Sequence, residues 1–334
     1  MFALEIGSGA GGSRPPFLAG HKVLLVNARS AILFLLEWLS TARVWMPSYL
    51  CGSMLLGAYQ RGVGVEFFDV NHDLRVSSLA WLDGVRPGDL VVLIDYFGFP
   101  CESACAIEAK RRGAWVLEDA CSALLSSHVG RCADFVVFSP RKFLGVPDGG
   151  ILSNKCGLPA PRMELQSPPP EWWIKALSAG VERREFDRHG GDRRWFELFQ
   201  EVEAEAPVGH YAMSELSRAL LTHSFDYSAI ARQRVANYRV LADMLWEIAV
   251  FPDLPSGTVP LGFPIRVKDR DHVRQTLFDH EIYPPVHWPI KNVVPSDFVD
   301  SHRLAAEIMT LPCDQRYGED DMARMASTLL RELT

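Results

Sequence analysis

No stretch of this 334-residue sequence approaches the roughly 18 uninterrupted apolar residues of a membrane span, and its N-terminus lacks a basic segment followed by a long apolar run. Neither a helical membrane protein nor a secretory leader is expected, so the expected compartment is the cytoplasm. Basic charge is in deficit as well. The 34 lysines and arginines face 41 aspartates and glutamates, for a formal net charge of -7, which leaves no broad positive field for nucleic acid or an anionic membrane surface. A local basic pocket for a phosphate is still compatible with that balance. The seven cysteines (Cys51, Cys101, Cys105, Cys121, Cys132, Cys156 and Cys313) contain no CxxC spacing and no adjacent histidine pair. A zinc site and a disulfide framework are therefore unexpected, and reduced, mostly buried thiols are the simplest state. Internal repeats are missing, and low complexity is limited to Pro168-Pro169-Pro170. The literal GxGxxG match from Gly7 to Gly12 runs into Ser13-Arg14-Pro15-Pro16, where a dinucleotide site needs a helix to open, so no such site is expected there.

What is present is a globular composition, 48% hydrophobic and 22% charged, in a chain long enough for a large core. Short apolar runs alternate with helical patterns. Strands are predicted at Lys22 to Asn27, Val65 to Val70, Leu90 to Asp95, Ala114 to Leu117 and Asp134 to Phe138, and helices at Ser30 to Leu39 and Ser103 to Arg112. This rhythm predicts an α/β fold with a mostly parallel, helix-covered sheet. Residues 156–207 break it with the proline run, Trp172-Trp173 and a charged stretch, and read as a lid-like or interface excursion. From Tyr227 the pattern becomes a long amphipathic helix, a strand near Phe263 to Val267, a helix near His272 to Phe278 and a last helix from Asp320 to Leu333. The expected division is a large domain over 1–226, including the excursion, and a smaller C-terminal α+β domain over 227–334.

Two motifs carry chemistry. Leu117-Glu118-Asp119-Ala120 precedes Phe138-Ser139-Pro140-Arg141-Lys142-Phe143 by about two dozen positions, and each follows a predicted buried strand. Asp119 and Lys142 are therefore expected at the carboxyl edge of the sheet, where open α/β folds gather ligands. A lysine amine condenses with an aldehyde cofactor, and a carboxylate keeps a pyridine nitrogen protonated. The pair is what pyridoxal phosphate chemistry requires. The helix beginning near Ser30 offers the amides of Ser30 and Ala31 and a favourable dipole to a phosphate, although Ser30 reads equally as a plain N-cap.

The residues also resemble the pyridoxal-phosphate-dependent sugar aminotransferases of the DegT/StrS group, within the fold-type I aminotransferase superfamily. Asn27-Ala28-Arg29-Ser30-Ala31 lies where that family has Gly-Thr-Ser-Ala, and Met46-Pro47-Ser48-Tyr49 resembles Val-Pro-Ser-Tyr. Asp95-Tyr96-Phe97-Gly98-Phe99-Pro100 resembles His-Leu-Tyr-Gly-Gln-Pro, and Tyr211-Ala212-Met213-Ser214-Glu215-Leu216 resembles Tyr-Arg-Met-Ser-Glu-Leu. Ile282 to Pro289 is similar to the small-domain segment near the substrate mouth. The resemblance implies a Schiff base on Lys142, Asp119 under the pyridine nitrogen, and Ser139 on the phosphate through a Ser-x-x-Lys spacing. Arg29 or Arg141 would add charge to that pocket. It also implies a homodimer whose sites borrow partner residues, and small-molecule partners: an amino donor and a keto acceptor, a nucleotide-linked keto sugar among the candidates.

The chain departs from the family at the edges of the site. Val137 stands where serine is usual, Ser122 where glutamine or histidine is usual, Ala212 in place of arginine and His210 in place of asparagine. Cys51 takes the position of the ring-stacking aromatic, so either Tyr49 covers the cofactor ring or a smaller group does. These substitutions keep two other readings open beside transamination: a lyase or dehydratase using the same cofactor, and a noncatalytic degenerate relative. Expected cofactor contacts are thus Arg29, Ser30, Ala31, Tyr49, Cys51, Ser122, Ser139 and His210, with no metal ligands.

Overall fold

The computed structural model describes residues 2–4 and 15–333, so the Gly7 to Gly12 motif lies outside the described residues. The predicted alternation is observed. Strand β1 (Lys22–Leu25) leads into helix α1 (Ala28–Leu39), followed by β2 (Arg43–Pro47), α2 (Leu56–Arg61), β3 (Gly64–Phe68) and β4 (Leu90–Ile94). Then come α3 (Ser103–Arg111), β5 (Trp115–Asp119), β6 (Phe135–Phe138) and β7 (Gly150–Asn154). The sheet order is β1-β7-β6-β5-β4-β2-β3. Every pairing from β6 across to β3 is parallel, and β7 runs antiparallel to both β6 and β1. Every residue of β4 and β6 is buried, as expected of parallel strands covered on both faces, which is why they read as unbroken apolar runs. From β2 the chain moves outward to β3, then returns to lay down β4, β5 and β6 on the other side, making a topological switch at the centre of the sheet.

Helix α1 is buried from Ser30 through Leu36 because the sheet lies under it and the chain's later segments lie over it. It starts two residues earlier than the pattern suggested. Asn27 caps it, its side chain accepting from the Ser30 amide at 2.9 Å, and this cap also ends the preceding strand. The cap sits against β7: a Cβ on Gly150 would lie 2.1 Å from the Asn27 carbonyl carbon and 2.2 Å from its oxygen.

The 156–207 segment is largely a helical hairpin, α4 (Pro170–His189) and α5 (Arg194–Ala204). Trp172, Ala176 and Val202 bury against Val26 in a small apolar cluster, and the Trp172 indole donates to the Val202 carbonyl at 2.9 Å. Beyond it lie α6 (Glu215–His223), α7 (Tyr227–Leu245), β8 (Phe263–Arg266), α8 (Arg270–Asp279), α9 (Val299–Glu307), β9 (Ile308–Leu311) and α10 (Glu319–Leu333). Strands β8 and β9 form a two-stranded antiparallel sheet. The α9–β9 unit was not anticipated, because the polar helix passes directly into Ile308-Met309-Thr310-Leu311 with no turn residue to mark the change of period. The C-terminal segment is tied to the main sheet through Arg234 of α7. Its guanidinium donates to Gln315 at 2.8 Å and to the carbonyls of Pro260 and Leu261, and Gln315 donates to the Phe143 carbonyl at 2.8 Å. No helix among the described residues is long and apolar enough to cross a membrane.

The contact at Gly150 gives a direct test. Gly150→Ala must move the backbone of the α1 cap and should destabilise the fold by more than about 2 kcal/mol. Urea unfolding checks it, and a variant within about 0.5 kcal/mol of the parent protein would contradict the packing described.

Candidate active site

Four turns at the carboxyl edge converge: Ser48 to Cys51 after β2, Asp95 to Phe97 after β4, Ala120 to Ser122 after β5, and Ser139 to Lys142 after β6. Asp119 is the last residue of β5 and is paired in register with Val137 of β6. Its Oδ1 accepts the Cys121 amide at 2.9 Å, which restrains the carboxyl orientation. Lys142 closes a 3-10 turn over Pro140–Lys142, its amide donating to the Ser139 carbonyl at 3.1 Å. Its Nζ lies 5.8 Å from the Trp288 ring centroid. Burial works against the Lys142 charge, but Cys121, Asp119, Cys51 and Glu203 outweigh it and raise the ammonium above its ordinary value. The Cys121 thiol is itself pushed far up by burial. At neutral pH the two carboxyls therefore carry the field that holds the Lys142 proton.

The aromatic surroundings differ from a single stacking ring. Tyr49 is fully buried, 6.0 Å from Tyr96 and 5.7 Å from Trp288, and Tyr96 is 6.4 Å from Trp288. Cys51 stays part-buried with its Sγ 3.1 Å from the Ser53 hydroxyl. His287, beside Trp288, pairs with the Thr310 hydroxyl at 2.9 Å, and burial, reinforced by the Lys142 charge, lowers it to about 3, so the imidazole is neutral. Ser122 is buried on the turn after Asp119.

At the other end of the site the α1 N-terminus meets the lysine turn. The Ser30 amide is taken by Asn27 Oδ1 and the Ala31 amide by the Asn27 carbonyl. The Ser30 hydroxyl bridges the Pro207 carbonyl at 3.3 Å and the Gly209 amide at 3.2 Å. Neither Ser30 nor Ala31 therefore presents a spare amide, and the unpaired donors of this helix among the described residues are the amides of Ala28 and Arg29. Ser139 makes no capping bond to its own turn. Arg29 and Arg141 both grip the Glu203 carboxylate. Within this chain His210 does not join the cluster: it pairs with Glu37 near the far end of α1 and lies edge-on to Phe34.

No motif in the sequence marks Glu203. Glu201-Val202-Glu203-Ala204-Glu205 reads as a solvated acidic helix end, and only tertiary packing turns the middle carboxylate inward. Asp148 lies between the lysine turn and β7. It is buried at the start of the approach to β7, where it accepts from the Ser214 amide at 2.7 Å and from the hydroxyls of Ser214 and Ser217, anchoring α6.

The sequence model of the DegT/DnrJ/EryC1/StrS aminotransferase family matches residues 67–330. The chain belongs to that family. A search of curated proteins returned no match. Among solved structures this family member is similar to PseC of Helicobacter pylori, an aminotransferase of pseudoaminic acid biosynthesis, with a TM-score of 0.71 at 17% identity over 95% of this chain and 88% of the other. It is also similar to the PLP form of a putative sugar aminotransferase, Spr1654, of Streptococcus pneumoniae, with a TM-score of 0.67 at 14% identity over 94% and 88% of the two chains. DesI, solved in the presence of its TDP-sugar product, gives 0.67 at 19% identity over 94% and 81%. At these identities the likeness establishes the fold, that of fold-type I sugar aminotransferases.

In this aminotransferase-family chain a buried acid pair backs the site. Glu118 alternates with Asp119 on β5 and so points to the opposite face of the sheet. It accepts the Gly130 amide at 2.9 Å and 3.1 Å and faces Asp95, whose Oδ1 accepts from the Cys101 amide. Burial raises both carboxyls above the ordinary range; the Asp95 charge and hydrogen bond push Glu118 further, whereas at Asp95 the hydrogen bonds from Glu118 and Cys101 offset part of the rise and the Asp119 charge adds to it. A protonated Glu118 donating to Asp95 satisfies the otherwise orphaned Asp95 Oδ2. Groups raised in the folded state contribute stability that is complete below their unfolded pKa and lost as pH rises towards the folded value. Glu118→Gln should therefore stabilise the protein by more than about 1 kcal/mol at pH 8, with the gain shrinking as pH falls towards 4. Denaturant midpoints across that range measure it, and a gain that is constant with pH would rule the protonated pair out.

Proposed function

We propose that this chain is a pyridoxal-phosphate-dependent aminotransferase that moves an amino group between a small amino donor and a keto compound, with nucleotide-linked keto sugars as the acceptor class. The observation that carries the reading is the convergence of the Lys142 amine and the Asp119 carboxyl on one space at the sheet's carboxyl edge, with Asp119 already oriented by the Cys121 amide. The residues present fit the cofactor. The Asp119 carboxyl suits the pyridine nitrogen, the Lys142 amine lies within its field, and Arg29, Arg141, the Ala28 and Arg29 amides and the Ser139 hydroxyl would hold the phosphate. When bound, pyridoxal phosphate supplies an aldehyde for amine capture and a protonated ring that withdraws electron density from the carbon next to the transferred nitrogen.

The rest is the chain's own work. Lys142 Nζ takes the proton from the substrate carbon and returns it on the other side of the exchange, which requires it to become neutral in the loaded site. Asp119 holds its partner nitrogen protonated by presenting a negative oxygen in a buried setting. His287, being neutral, adds no competing charge beside the amine. Trp288, half-buried and backed by the buried Tyr49 and Tyr96, restricts water and offers a flat surface to a sugar or base. Residues 1–226 supply Asp119, Lys142 and the phosphate end, and 227–334 supply Trp288. We read them as a cofactor domain and a smaller closing domain. The working unit in this reading is a cytoplasmic homodimer, supported by the family's shared sites.

The test is chemical. The purified protein incubated with pyridoxal phosphate and borohydride should carry a covalent label at Lys142 by peptide mass, and should convert glutamate or another amino donor to its keto acid when a keto sugar is supplied. Lys142→Ala should lose the label and about 10²–10⁴-fold in turnover. Labelling at a different lysine, or a donor panel that never yields a keto acid, rejects the assignment.

A further inference from the structure

Glu203 lies within the last turn of α5, at the end of the helical hairpin, yet its carboxylate reaches into the phosphate end of the site. Arg29 of α1 meets one oxygen at 2.8 Å and Arg141 of the lysine turn meets the other. Arg29 also donates to the Glu203 carbonyl at 2.9 Å. The two guanidiniums are 19% and 17% exposed, so their attraction is screened less than that of a surface pair. Lys142 adds its charge to the same carboxylate. Arg141 Nε is buried without a partner, so one donor is left for a further acceptor oxygen. Two arginines, a lysine shared between Glu203 and Asp119, and the first turn of a twelve-residue helix exceed what the Glu203 carboxylate neutralises, and suit a dianion with three oxygens. The surrounding backbone is pinned independently, because the Asn27 side chain donates to the Pro207 carbonyl at 2.8 Å. A rotation of the Glu203 side chain can therefore free Arg141 and the Nη2 of Arg29, while Arg29 Nη1 stays on the Glu203 carbonyl.

We propose that Glu203 is an internal counter-anion seated where the phosphoryl group of the cofactor goes, so that loading exchanges this carboxylate for a phosphate monoester on Arg29 and Arg141. The inference rests on the pyridoxal phosphate reading above. Its consequence is selective. The internal carboxylate competes only with ligands that bring a phosphate, and so lowers the advantage of pyridoxal phosphate over unphosphorylated pyridoxal. It also keeps two arginines paired in the apoprotein.

Titration of the parent apoprotein and of Glu203→Gln with pyridoxal phosphate and with pyridoxal, read by ring absorbance, tests the exchange. Glu203→Gln should bind pyridoxal phosphate about tenfold more tightly, the shift expected if the arginines are open about a tenth of the time in the parent. Pyridoxal affinity should change by less than about twofold, since no phosphate enters. Inorganic phosphate alone should raise the thermal midpoint of Glu203→Gln more than that of the parent. Glu203→Asp, which keeps the charge, should stay closer to the parent than Glu203→Gln does. Equal discrimination between the two vitamers in parent and Glu203→Gln overturns the proposal, as does weaker pyridoxal phosphate binding by that variant. If Glu203→Gln is unstable, Arg141→Gln decides: it should lose most of the preference for pyridoxal phosphate over pyridoxal, and full retention refutes the exchange. Failure of the Lys142 label in every protein, with phosphate still stabilising Glu203→Gln preferentially, would remove the functional reading while supporting the anion exchange.

Discussion

The parallel register between β5 and β6 governs this molecule. Pairing Asp119 with Val137 places the carboxyl level with the strand that ends one residue before Ser139, so the 3-10 turn that follows carries Lys142 into the same space. A slip of one residue would send Asp119 to the opposite face and bring Glu118 to the front. The burial of both strands makes such a slip costly, because every apolar residue would change sides with it. The placement of Asp119 and Lys142 at one sheet edge is thus enforced by hydrophobic packing.

Electrostatics divides the same strand into two regimes. On the site face, carboxyl groups of Asp119 and Glu203 hold Lys142 charged in the apoprotein. On the opposite face, Glu118 and Asp95 sit beyond the reach of comparable cations and are driven towards a shared proton. His128 approaches Asp95 at 3.5 Å, but burial lowers it and keeps it from acting as a full counter-charge. The front acid is thus matched to cations, whereas the rear acids are matched to each other.

Much of this was legible in the chain. Four-residue apolar runs such as Phe135-Val136-Val137-Phe138 announce buried strands, and Leu117-Glu118-Asp119 followed by Ser139-Pro140-Arg141-Lys142 announces where two of them end. The start of α1 was misplaced because Asn27 and Ser30 are both good caps, and only the tight contact with Gly150 selects Asn27. His210 was expected at the cofactor from its place in a motif, and its actual partner, Glu37, lies 173 positions away in sequence. Glu203 was invisible for a similar reason: nothing local separates it from the acidic residues at 201 and 205.

Sequence by itself determined the α/β rhythm, the sheet's buried strands and the strand ends that carry Asp119 and Lys142, because burial periodicity and strand-end motifs are local properties. Tertiary structure alone decided what surrounds them. Which carboxylate neutralises Arg29 and Arg141, which rings pack around Trp288 and which cap opens α1 are outcomes of distant segments meeting. Such meetings depend on the three-dimensional field and packing at one point, and neither is a function of neighbouring residues along the chain.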